Sequence, residues 1–169
     1  QGSSVVMYDK EGKLIKGFNY TAKDKLVFAP THIRIKAKDY ILAQTKQQLN
    51  ILSRTGEIRV KLNQEFTPSQ NSFFEYNEQF MGSTAQSELA MIDPNGNVTL
   101  KPQDWFSSHF LVGDNLNYVS LSENQLQINN DIVKLDYGLY QKPQLHQLRD
   151  QLFISIVDEQ TEQLLLLNL

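Results

Sequence analysis

Apolar residues recur at every second position in short runs along this chain, and tight polar turns separate the runs. "NILSRTGEIRV" at 50–60 holds two such runs around Ser53-Arg54-Thr55-Gly56, and "AMIDPNGNVTL" at 90–100 repeats the arrangement around Asp93-Pro94-Asn95-Gly96. Period-two alternation is the pattern of a half-buried strand, and a glycine closing a short polar turn supplies the positive φ of a tight hairpin. The same turn is written at Asp9-Lys10-Glu11-Gly12, and in reduced form at Asn129-Asn130-Asp131. The chain therefore carries an internal repeat.

Between these markers lie further short β-rich runs, split by turns at Lys36-Ala37-Lys38-Asp39, Asn77-Glu78 and Gly113-Asp114-Asn115. The last stretch turns at Arg149-Asp150 and again at Glu159-Gln160-Thr161. The result is four strands for every ~35–45 residues, which is the repeat of a β-propeller blade. The phasing predicts an all-β chain of four-stranded antiparallel blades, about four of them, as one propeller segment over 1–169: a partial blade at 1–18, blades at about 31–62, 72–101 and 108–137, and a partial blade at 144–169. Helical signals at "TAKDK" and "KPQLHQLRDQL" are outweighed by the strand pattern around them. Four blade positions fit either a compact small ring or an arc cut from a larger one, and the expected molecule is the arc, an incomplete propeller. The opening "QGSSVVMYDK" has neither an initiator methionine nor a signal-peptide pattern and reads as an internal or processed boundary.

This repeat resembles the broad family of quinoprotein-like and WD40-like propellers, without the Trp-Asp dipeptide or the Gly-His signature of WD40 repeats. More narrowly, "VVMYDKEGKLIKGF" at 5–18 and "DYILAQTKQQLNILSRTGEIRVKL" at 39–62 look like the C-terminal propeller regions of large uncharacterised bacterial envelope proteins. The resemblance implies an extracytoplasmic repeat domain, periplasmic or in the cell envelope. It carries over no catalytic residue.

Composition narrows the partners. The 169 residues include 16 basic and 19 acidic side chains, a net charge of −3 spread along the chain, so no polybasic stripe is present to neutralise nucleic-acid phosphates. The longest apolar run, Leu164 to Leu167, is far short of the ~18 residues that span a bilayer. With no cysteine, disulfides and thiolate metal sites are excluded.

Three histidines, His32, His109 and His146, fall at or in the first strand of a blade, which lines the channel of a propeller. A ring of imidazoles there could ligate a metal, although the corresponding place in the intervening blade is about Ser72. The alternative is that each imidazole bonds locally. Asp93-Pro94-Asn95-Gly96-Asn97 faintly echoes a calcium loop, but its glycine comes fourth rather than sixth, and turn chemistry accounts for all five residues. The acids at Asp9, Glu11, Asp39, Glu57, Glu78, Asp93, Asp114, Asp131 and Asp158 sit mostly in separate turns. Hydrolytic chemistry needs convergent carboxylates or a nucleophile with its base, so the reading is non-catalytic and without a cofactor. Alternation sends Phe73 and Phe74 to opposite sheet faces. Trp105 and Phe106, on a connection between blades, are the candidates for contact with a protein or glycan partner. The function expected is an interaction or structural scaffold; the alternative is a propeller with a metal or cofactor over its channel, as part of an enzyme. Unpaired blade edges predict self-association.

Overall fold

The computed structural model describes residues 2–106, 108–149 and 151–168. It is a series of antiparallel sheets in chain order. Blade I comprises β3 (Thr31–Ile35), β4 (Lys38–Gln44), β5 (Leu49–Leu52) and β6 (Ile58–Val60). Blade II comprises β7 (Phe74–Tyr76), β8 (Gln79–Ser83), β9 (Glu88–Ile92) and β10 (Val98–Pro102). Blade III follows with β11 (His109–Gly113), β12 (Tyr118–Ser122), β13 (Gln125–Ile128) and β14 (Asp131–Lys134). Blade IV holds three strands, β15 (Gln144–Leu148), β16 (Gln151–Asp158) and β17 (Gln163–Asn168). Ahead of them a short pair, β1 (Ser4–Val5) with β2 (Tyr20–Thr21), is extended by a Tyr8–Leu14 bridge. Each blade is a meander in which consecutive strands pair. No helix occurs among the described residues. Of the turn predicted at Arg149-Asp150, Asp150 lies outside the described residues, and Arg149 has a positive φ of 56°.

The chain is thus a β-propeller of successive blades, and alternation within each strand explains why the blades stack. Paired strand residues share a sheet face, so in blade I the set Ile33, Ile35, Tyr40, Leu42 points one way and Ile41, Ala43, Leu52 the other. The first set meets Phe73, Phe80, Ala90 and Ile92 of blade II. The second meets Val5, Phe18, Ala22 and Leu26 around the N-terminal pair. Met81, Leu89 and Phe74 of blade II meet Leu111 and Tyr118 of blade III, and Val119, Leu121, Leu126 and Ile128 meet Ile154 and Ile156 of blade IV.

Phe73 and Phe74 therefore enter different seams, one on each side of blade II. Gly113 leaves the space into which the Phe74 ring fits. Phe80 is fully buried and meets Tyr40 edge-on across the first full seam, with ring centroids 5.0 Å apart. Burying such a side chain contributes ~2–3 kcal/mol, so a few of them hold each seam.

Among the described residues, nothing packs over the other face of blade IV in this way. Leu164 and Leu166, opposite in facing to the packed Leu165 and Leu167, are 67% and 63% exposed, and Leu148 on the same face is also exposed.

Candidate functional site

Polar side chains do two jobs in this fold, and both bear on what the surface can bind. The first is closing turns. In the turns at 9–12, 53–56 and 93–96, the glycine N–H donates to the carbonyl three residues earlier, and the first residue's N–H donates to the carbonyl four residues later. The Asp9 carboxylate accepts from the N–H groups of Glu11 and Lys13, and that of Asp93 accepts from Asn95, Asn97 and the Asn97 side chain. Burial would push the Asp93 carboxyl up, but these donors hold it below its ordinary value. Asp114 accepts from Leu116 and Asn117. Asp158 is held below its ordinary value by the Thr161 hydroxyl and the N–H groups of Gln160 and Leu139. These four acids sit in four separate turns.

The second job is locking seams. Asn71, in the connection from blade I to blade II, is buried and satisfied on every side. Its amide donates to Ser69 Oγ, Ser83 Oγ and the His109 carbonyl, and its side-chain oxygen accepts from Leu111 N–H. Gln44 of β4 donates to the carbonyls of Ser69 and Asn71, and so ties blade I to the same knot. Three blades meet at this one buried amide. Sequence reasoning passed over it, because a lone Asn in a polar linker carries no periodic signal.

The three histidines all lie on innermost strands, and each interacts locally. His32 Nε2 is 3.0 Å from Asp39 Oδ1, and His146 Nε2 is 2.7 Å from Ser155 Oγ. His109 is 9% exposed, stacks on Trp105 with ring centroids 4.5 Å apart, and places Nδ1 3.3 Å from the Phe106 carbonyl. Its Nε2 has no protein partner among the described residues, and burial pushes its pKa below the ordinary value, opposed by the Phe106 carbonyl. Among the described residues, no histidine lies in a group of three or more potential metal ligands. Trp105 is half-buried against the seam between blades II and III. Phe106 is 57% exposed, its backbone fixed by an N–H donated to Ser122 Oγ.

One open cleft collects charge. It has a volume of about 390 Å³ and lies between the N-terminal hairpin and blade I, lined by Met7, His32, Arg34, Asp39, Ile41 and Arg54. The Asp39 carboxylate is shared by His32 and by Arg54, whose Nη1 is 3.8 Å from Oδ2. His32 foremost, with Arg34 and Arg54, holds that carboxyl below its ordinary range against partial desolvation. Lys36, which follows β3, pairs with Glu78 of blade II at 2.8 Å.

No protein-family description and no curated protein matches the chain. Among solved structures it is similar to BBS1N in a crystal of its complex with ARL6DN soaked with mercury: TM-score 0.51, 12% identity, with 98% of this chain and 64% of that chain covered. A crystal of the same complex soaked with lead gives a TM-score of 0.48 at 11% identity, over 98% and 61% of the two chains. The chain thus spans a little under two thirds of the length of those chains. At such identity the mercury-soaked structure shows a shared propeller fold and nothing finer.

Proposed function

We propose that this chain is a non-catalytic propeller segment of a larger bacterial envelope protein, a scaffold whose loop faces engage a protein partner. The observation that carries the reading is where the polar groups go. Asp9, Asp93, Asp114 and Asp158 are occupied in separate turns and Asn71 in a seam, while the cleft at Asp39 and the rim at Phe106 stay open to solvent. Support for a protein as the partner comes from BBS1N, a propeller of similar fold crystallised in complex with ARL6DN; a glycan is the other class such a rim accommodates. The periplasmic or envelope location is supported by the resemblance of residues 5–18 and 39–62 to propeller regions of bacterial envelope proteins. Self-association through the open apolar face of blade IV belongs to the same reading.

A photo-crosslinking residue placed at Phe106 in the native cells tests it. The expected result is one envelope protein captured reproducibly, which binds the chain saturably once purified. Stoichiometric zinc or calcium in the purified chain, lost when His32 and His109 are both replaced, would instead favour the metal-bearing alternative.

A further inference from the structure

The cleft beside blade I lies along its contact with the N-terminal strand pair. At the two following seams a full four-stranded blade lies against its neighbour. The strand pair β1–β2 and its hairpin cover only Ile41, Ala43 and Leu52 of blade I, packing Val5, Phe18, Ala22 and Leu26 over them. Register places His32 opposite Ile41 and Arg34 opposite Asp39, so these four residues share that face, and the charged ones lie at its uncovered end. In a chain of net charge −3, two guanidinium groups face one carboxylate here, a net +1 before His32 is counted.

Asp39 is already engaged by His32 and Arg54. Arg34 stands opposite it, exposed, and among the described residues no carboxylate lies within ion-pair distance of Arg34. A guanidinium fork matches a carboxylate with two parallel hydrogen bonds, and partial desolvation in a cleft strengthens the pair. Met7 and Ile41 supply an apolar floor beside it. From this geometry we infer that the cleft binds an acidic peptide segment of the protein partner, with Arg34 clamping a carboxylate and Arg54 and His32 held ready by Asp39. The inference rests on the protein-partner reading above and names where, and by what chemistry, that partner docks.

The test uses the 169-residue chain and a fluorescein-labelled hexaglutamate peptide, followed by anisotropy at low and at physiological salt. Saturable binding is expected, weakened about tenfold by Arg34→Gln, which loses a charge-assisted bidentate contact, and weakened again by salt. Arg59→Gln is the control, since Arg59 lies over the Tyr40 ring on the opposite face, and it should leave binding unchanged. Circular dichroism melting of Arg34→Gln shows whether the fold is retained, as expected for an exposed side chain. Absence of saturable binding, equal binding by Arg34→Gln, or full displacement of the peptide by inorganic phosphate at equal concentration would overturn the assignment. If the peptide fails while the Phe106 crosslink still captures a protein, the cleft assignment falls and the scaffold reading stands.

Discussion

The turn at 93–96 and the turn at 9–12 share one backbone and differ in surroundings. Gly96 and Gly12 both have positive φ, 94° and 77°, and both turns are closed by the same two backbone hydrogen bonds and an Asp carboxylate. Gly96 is pressed onto the Lys61 carbonyl of the preceding blade, where Asn63 also donates to the Gly96 carbonyl and accepts from Val98 N–H. Among the described residues, nothing lies within 4 Å of the place where a Cβ would stand on Gly12. Gly56 is intermediate: an added Cβ would sit 2.7 Å from the Asn19 carbonyl oxygen. A turn of this kind is chosen locally, by Asp or Ser at its start and Gly at its end. Its weight in the stability of the whole molecule is set by the blade before it.

Substitution at the glycines breaks this comparison most sharply. Gly96→Ala adds left-handed strain and a backbone clash together, with an expected loss of ~3 kcal/mol or more, whereas Gly12→Ala should cost ~1 kcal/mol, the strain alone. Urea unfolding of both variants checks it, and equal losses would mean that the seam yields. Next in size, Asn71→Ala leaves Leu111 N–H and the His109 carbonyl without their partner, an expected loss of ~2–3 kcal/mol, against under ~1 kcal/mol for the exposed cap Asp9→Ala in the same assay.

A smaller effect follows from His109, buried in the seam beside Trp105. Its folded pKa is depressed below 6.5 while the unfolded chain keeps the ordinary value, so the unfolded state takes up the proton first. Stability is full above pH 6.5, declines as the pH falls from there through the folded value, and then levels. Unfolding free energies measured between neutral and mildly acidic pH should show that decline, and His109→Gln should flatten it. The smallest effect on folding, within about 0.5 kcal/mol, is expected for Leu164→Glu with Leu166→Glu on the open face of blade IV. Light scattering should nevertheless show less self-association for this double variant than for the parent chain.

Legibility in the sequence divided along the same line as the turns. The hairpins at 9–12, 53–56 and 93–96 could be read directly, because turn residues and strand alternation are contained within a dozen neighbours. The N-terminal unit was less regular than its pattern: among the described residues of 1–18 the only strand is β1 at Ser4–Val5, its partner lies at Tyr20–Thr21, and between them the ladder shrinks to one bridge. Asn71 was illegible because its partners Ser83, His109 and Leu111 are 12, 38 and 40 residues away. The histidines showed their strand positions in the sequence but not their partners. Trp105 could be placed between blades, yet its stacking on His109 depends on how the connection folds back over the seam.

By itself, the sequence determined the strands, their turns and the repeat of four, since each is decided by period-two alternation and by a residue that tolerates positive φ. Tertiary structure decided which apolar face meets which neighbour, which glycine is indispensable, and that His32, Arg34, Asp39 and Arg54 share a cleft. The reason is physical: alternation fixes the two sides of a strand, but the energy of a side depends on what covers it, and the covering residues are written elsewhere in the chain.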